Sequence, residues 1–146
     1  MSTSDPSCAF CRIVADDDDD VIVHRDEHIV AFLDVRPVFH GHVLLVPRAH
    51  LRTLEDLPVD LAAPLLTATQ LVMRALREVV GAHGTFVASN NVVSQSVPHL
   101  HVHVVPRRRK DGLRGFFWPR HPYPDEDALA DMRARLRSAI AELRAA

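Results

Sequence analysis

The chain has 146 residues, of which 47% are apolar and 25% charged, with a formal net charge of -2. That length and apolar content suit one domain with one core. The near-neutral charge excludes a general basic field and so disfavours a protein working mainly on nucleic acid. No apolar run approaches the roughly 20 residues that cross a bilayer, and Met1-Ser2-Thr3-Ser4-Asp5 does not read as a signal peptide, so a cytoplasmic protein without a membrane partner is expected.

In chain order, Cys8 to Val14 reads as a short helix carrying a Cys-x-x-Cys pair, Cys8 and Cys11. A redox pair belongs at a helix start just after a strand, and nothing strand-like precedes Cys8, so metal binding is the better reading. The acidic run Asp16 to Asp20 is a solvated turn; it lacks the ligand spacing of a calcium loop. Val21 to His24 and His28 to Leu33 form a hairpin about Arg25-Asp26-Glu27. After the turn Asp34-Val35-Arg36-Pro37, a third strand runs from His42 to Val46, bounded by Pro47, which has no N–H to give a central ladder.

From Val59 to Val80, Leu61, Leu65, Leu66, Val72, Met73, Leu76 and Val80 recur at helical spacing. Pro64 is tolerated in the first turns, and Gly81 and Gly84 end the helix. Thr85 to Ser89 and Leu100 to Pro106 are strands four and five, and Pro124 to Ala146 is a second helix, with Leu129, Met132, Leu136 and Ile140 on one face. The fold class is therefore α+β: a mainly antiparallel five-stranded sheet with one long helix packed on it and a C-terminal helix. One domain spans 1–146, its core motifs at 8–106 and a C-terminal extension at 107–146.

The chemistry concentrates at His99-Leu100-His101-Val102-His103. Strand side chains alternate faces, so the three histidines share one face while Leu100, Val102 and Val104 enter the core. Adjacent histidines then stand about 6 to 7 Å apart, within reach of one phosphate. Neutral imidazole can attack phosphorus or exchange protons near neutral pH. Three exposed polar residues on a half-buried strand, or three ligands to one metal, are the competing readings; a division of duties ranks above both, because the outer pair is too far apart for an easy tridentate grip. The basic run Arg107-Arg108-Arg109-Lys110 divides evenly between a solvated loop and a phosphate-facing role.

Gln95-Ser96-Val97-Pro98-His99-Leu100-His101-Val102-His103-Val104-Val105 resembles the signature of the histidine-triad (HIT) family. Phe10-Cys11-Arg12-Ile13, Ala31 to Pro37 and Gly41 to His50 support the resemblance in family order. It implies an enzyme: a nucleotide hydrolase or nucleotidyl transferase acting at the α-phosphate of a purine nucleotide conjugate, a phosphoramidate or a dinucleoside polyphosphate. In it His101 would be the nucleophile of a covalent nucleotidyl-histidine, its second ring nitrogen held by the His99 carbonyl. His103 and Ser96 would contact the α-phosphate or leaving group, and Gln95 the same phosphate site. Asp34 would hold the ribose hydroxyls, and Phe10, Phe32 and Val35 the base, although each fits an ordinary core or turn. Asn90, or Asn91, receives a weaker substrate role, because Ser89-Asn90-Asn91-Val92-Val93-Ser94 is shorter than the family's loop and lacks its glycines.

The resemblance further implies a structural zinc held by Cys8, Cys11, His50 and His99, and a homodimer whose sheets join. His24, His28, His40, His42, His83 and His121 are left as surface or packing residues. Gly112 to Arg120, with the aromatics Phe116-Phe117-Trp118, is a candidate wall for substrate choice or an anchor for the last helix. A non-catalytic nucleotide-binding interaction protein and a zinc-stabilised structural module are the alternatives.

Overall fold

The computed structural model describes residues 4–17, 20–114 and 120–146. The chain divides into two compact units, the first ending at Asp111 and the second running from Gly112 to Ala146.

In the first unit, α1 (Ala9–Ala15) is followed by β1 (Ile22–Arg25), β2 (Ile29–Leu33), β3 (Val43–Pro47), a 3-10 turn at Leu54–Asp56, α2 (Val59–Val79), β4 (Gly84–Ala88) and β5 (Val102–Arg107). Among the described residues the five strands form one antiparallel sheet in the order β1-β2-β3-β5-β4. The expected hairpin is β1–β2. Asp26 closes it by accepting the N–H groups of both His28 and Ile29 at 2.8 Å, the local side-chain bonding that makes aspartate a turn residue.

Strict alternation along β2 and β3 builds two cores. Ile29, Ala31, Val43 and Leu45 face α2, together with Leu100, Val102 and Val104. Val30, Phe32, Leu44 and Val46 face the other way, with Cys8, Phe10 and Cys11 of α1. Because both faces are covered, β2 and β3 read as unbroken apolar runs rather than as half-polar strands. Each large side chain so buried stabilises the fold by about 1.5–3 kcal/mol.

The long helix meets the sheet through Leu65, Ala68, Thr69, Val72 and Leu76. This stripe at i, i+3, i+4, i+7 corrects the sequence reading: Leu66 and Met73 are exposed, because they sit one residue round from it. Pro64 is the sixth helical residue, past the four positions whose N–H groups lack partners anyway, so Asp60 loses its helical donor. The helix is long and apolar enough by composition to cross a membrane, contrary to expectation; its stripe packs on the sheet, while Leu66, Leu71, Met73 and Val79 are exposed. Gly81, at φ +64°, turns the chain after α2 so that the Ala82 N–H returns to the Leu76 carbonyl, and Gly84 opens β4 rather than ending the helix. Gly41, at φ +100°, lets the chain enter β3 beside α2; a Cβ there would meet Leu76 at 3.1 Å.

Two strand boundaries move with consequence. Pro47 lies inside β3, paired with Ile29, because β5 pairs only with Val43 to Leu45 and asks nothing of a Pro47 donor. Regular β5 begins at Val102, so of the three histidines only His103 stands in the ladder, opposite Leu44 and Ala88. The preceding segment hangs instead on the Leu51 carbonyl through the Leu100 N–H.

In the second unit, α3 (Glu126–Ala145) is capped by Asp125, whose carboxylate accepts the Ala128 N–H at 2.7 Å, with Glu126 and Asp127 in the first turn where the dipole favours acid. The aromatic run Phe116 to Trp118 and the middle of the acidic run, Asp18 and Asp19, lie outside the described residues.

Candidate active site and metal centre

The α1 face of the sheet carries every histidine of the triad. His99 and His101 are buried and His103 is partly so, which excludes the reading of three exposed polar residues. Alternation persists although only His103 is in the regular strand, since Leu100, Val102 and Val104 all lie in the opposite core.

Backbone carbonyls fix the proton positions of the first two. A carbonyl only accepts, so His99 donates from Nε2 to Pro47 O at 2.9 Å, leaving a lone pair on Nδ1. That lone pair is 3.5 Å from Cys8 Sγ and 3.6 Å from Cys11 Sγ. His50 Nδ1 is 3.3 Å from Cys11 Sγ, and the four donor atoms of Cys8, Cys11, His50 and His99 all lie within 4.8 Å of one another. With metal bonds of about 2.3 Å to sulfur and 2.0–2.1 Å to nitrogen, a tetrahedral zinc separates such atoms by about 3.5 Å. The set therefore fits a closed zinc site. Cys8 caps α1, its sulfur taking the Cys11 N–H, and Cys11 Sγ takes the Asp5 N–H, so the pair is held in place by the first turn of the helix. Burial pushes the Cys11 thiol up, an effect that a bound cation offsets by favouring thiolate.

His101 donates from Nδ1 to the His99 carbonyl at 2.7 Å, which leaves Nε2 with the lone pair. Its ring meets Phe10 edge-on at 5.1 Å, and Phe10 in turn packs on Phe32 at 5.2 Å. These rings border a cleft of about 530 Å³ that Phe10, Phe32, Asp34, Val35, Ser96, His101 and His103 all line, as the sequence reading grouped them. Ile13, Val21, Leu33, Leu44 and Val97 complete its apolar wall, and Arg36 adds a cation; these six were not found from sequence. A roomier hollow of about 630 Å³ beside Val38, Val80 and Arg108 lacks the triad, and its Arg108 guanidinium is bonded to the Val80 carbonyl.

His42 is the principal omission. Assigned to surface or packing, it packs: it is 3% exposed, with Nε2 at 3.0 Å from His103 Nδ1 and Nδ1 accepting the Val38 N–H at 3.1 Å. Strand alternation carried the signal, since His42 shares a face with Leu44. Asp34 Oδ2 is 3.7 Å from His42 Nδ1, while Asp34 Oδ1 accepts the Arg36 N–H. Burial, reinforced by the charges of His101 and His42 and opposed by Asp34, pushes His103 down to about 4; burial also lowers His42 and His99. His42 and His103 are neutral at pH 7.

Other expected residues stand apart. Asn90 and Gln95 do not line the cleft. Both ends of the Gln95 amide serve the loop: Oε1 accepts the Val92 N–H at 3.1 Å and Nε2 donates to Arg52 O at 2.6 Å. Asn91 accepts the Leu54 N–H at 2.7 Å. Val92 and Ser94 take φ values of 70° and 60°, so a loop without glycine still adopts the left-handed backbone that glycine adopts freely, at a cost in strain. In the basic run, Arg107 grips Asp111 with two hydrogen bonds, at 2.6 and 3.0 Å, and Arg108 bonds to Val80 O. Neither lines the cleft, which favours the loop reading over phosphate contact.

Residues 15–110 match the HIT domain. The chain is 33% identical to the crystal structure of SMU.412c from Streptococcus mutans, with a TM-score of 0.84 over 96% of this chain and 89% of that one. A zinc-bound histidine triad family protein from Mycobacterium smegmatis is 36% identical, with a TM-score of 0.69 over 95% of this chain and 96% of that one. The adenosine 5'-monophosphoramidase hnt1 of Schizosaccharomyces pombe is 31% identical over 85% of this chain and 92% of its own length. The family, with a relative named as a hydrolase of a nucleotide conjugate, supports nucleotide hydrolase activity in general terms, and the zinc-bound neighbour accords with the Cys2His2 cluster. From its sequence, its sheet and its triad, this chain belongs to the histidine-triad (HIT) family.

Proposed function

We propose that the protein hydrolyses or transfers the nucleotidyl group of a purine nucleotide conjugate, a phosphoramidate or dinucleoside polyphosphate, through a covalent intermediate on His101. The observation that carries this reading is the Nδ1 hydrogen bond of His101 to the His99 carbonyl, which leaves Nε2 as a neutral nucleophile in a ring that lines the cleft. In this reading Nε2 forms a bond to the α-phosphorus while the bond to the leaving group breaks with its electron pair. Water or another acceptor then displaces His101 and restores its lone pair. His103 and Ser96 contact the phosphate or leaving group, Asp34 accepts from the ribose hydroxyls, and Phe10, Phe32 and Val35 hold the base. The phosphoramidase named among the relatives supports an adenosine phosphoramidate as the first substrate to try.

Zinc held by Cys8, Cys11, His50 and His99 would tie α1 and the β3–α2 connection to the segment carrying the triad, a structural role with no part in the reaction. Thiols serving as ligands must stay reduced, which favours a cytoplasmic setting. A homodimer joined through the sheets is supported by β4, which is an edge strand among the described residues.

The test is His101→Asn assayed against an adenosine phosphoramidate. Turnover is expected to fall by about 10³-fold or more, with nucleotide affinity kept; full activity in the purified variant would refute the mechanism. If nucleotides bind the unsubstituted protein and no conjugate is turned over, the non-catalytic binding role is the correct one.

A further inference from the structure

We infer that Arg36 makes the cleft select guanine over adenine, its guanidinium donating two parallel hydrogen bonds to the O6 and N7 acceptors of the base. The inference rests on the cleft's being a nucleotide site, as proposed above, and names the preferred conjugate as one of guanosine.

Sheet register separates the two ends of the cleft. Phe32 pairs with Leu44 and Leu44 with His103, so Phe32 stands two strand spacings from His103 on the same face, roughly 10 Å. A phosphate held at His101 and His103 therefore sends its nucleoside across β3 toward β2. There the wall is apolar: Phe32 is buried, while Leu33 and Val35 are exposed and leave the slot open at its outer edge. Asp34 lies between them, just past the end of β2.

Among the described residues, the polar side chains lining the cleft are Asp34, Arg36, Ser96, His101 and His103. Ser96, His101 and His103 stand at the phosphate end, and Asp34 meets the ribose, which leaves Arg36 as the polar side chain at the base end. Its backbone N–H is tied to Asp34 Oδ1 at 2.9 Å, which fixes the root of the side chain beside the ribose carboxylate. Its guanidinium is exposed and has no hydrogen bond or ion pair among the described residues. Other arginines are engaged within the fold: Arg25 on Val14 O and Arg48 on Asp26 O, each at 2.7 Å, and Arg107 on Asp111. Arg36 alone among these faces the cleft.

The chemistry of the two purines decides what such a group prefers. A guanidinium only donates, and does so in a planar fork. Guanine offers O6 and N7 as neighbouring acceptors, whereas adenine replaces O6 with an amino donor, so the fork meets one acceptor and one opposing N–H. The apolar wall packs against either ring alike and carries no choice between them. Two other uses of Arg36 are blind to the base: contact with a phosphate, which would require it to reach across β3, and stacking of the guanidinium on the ring face.

Calorimetric titration of the unsubstituted full chain with GMP, IMP and AMP, which share the same ribose 5'-phosphate, separates these uses. GMP and IMP, which both carry O6 and N7, are expected to bind about tenfold more tightly than AMP. Arg36→Met, which keeps an apolar stem and removes the donors, should bring GMP and IMP down to the affinity of AMP and leave AMP within about twofold. Equal affinities in the unsubstituted protein, or a GMP preference that survives in the variant, refute base selection by Arg36. An equal loss for all three nucleotides assigns Arg36 to phosphate or stacking and refutes it too. A preference for GMP that IMP does not share places the choice at the 2-amino group and overturns the O6 and N7 contact. Should the unsubstituted protein bind none of the three, the nucleotide reading itself fails, an outcome distinct from binding without preference.

Discussion

Replacing His103 with glutamine should flatten the acid branch of the stability profile. In the folded protein His103 is held down to about 4 by burial and by the charges of His101 and His42, whereas the unfolded chain protonates near 6.5. Between those values the unfolded state takes up a proton that the folded state refuses, so stability is full above about pH 6.5 and drains as pH falls toward 4. At pH 5 the unfolded group lies about 1.5 pH units below its midpoint, and each unit is worth about 1.36 kcal/mol. The loss is thus about 2 kcal/mol, discounted to about 1–2 kcal/mol because the ring is only partly buried. Urea titrations followed by circular dichroism at pH 7, 6 and 5 measure it. His103→Gln removes the titration and leaves the metal ligands and carboxylates in place, so their own acid sensitivity cancels in the comparison. The unsubstituted protein should lose about 1–2 kcal/mol more than the variant between pH 7 and pH 5. Parallel profiles would show that His103 titrates as it does in water and would undo the assignment of a ring held down by burial.

Elemental analysis of freshly purified protein should find about one zinc per chain, and Cys11→Ala should abolish it and cost about 3 kcal/mol or more of stability; a stably folded, metal-free protein would refute the assignment. Asp34→Ala should weaken a ribonucleotide by about tenfold or more while leaving a 2',3'-dideoxynucleotide unaffected in parallel titrations; equal losses would remove the ribose role. Val92→Gly should stabilise the protein by about 1 kcal/mol in urea titrations, since relief of a left-handed β-branched residue outweighs glycine's greater chain entropy. A destabilised variant would show that φ of 70° is carried there without strain.

The cleft illustrates which relations a sequence can carry. Phe10, Asp34 and His101 are far apart in the chain, and it was their order around the triad, matched to a family, that grouped them; their meeting is a matter of α1 covering the face that β2 and β3 share. Gln95 stands outside the cleft lining and braces a loop, a placement that one dimension does not carry, since a glutamine beside a triad and a glutamine bracing a loop are identical there. Its two bonds, to Arg52 and Val92, depend on a path that no periodicity describes.

By itself the sequence determined the alternation that gives β2 and β3 two apolar faces, the helical stripe of α2, the division of the histidine run from its apolar neighbours, and a cysteine pair suited to metal. These are local properties, set by the period of side chains along a strand or helix. Tertiary structure alone decided which of those chemically ordinary groups touch. The Pro47 and His99 carbonyls set the protons of His99 and His101, and the turn from Asp34 to Gly41 brings the Val38 amide onto His42. A tautomer is chosen by the neighbour across a hydrogen bond, and for His103 that neighbour is 61 residues away.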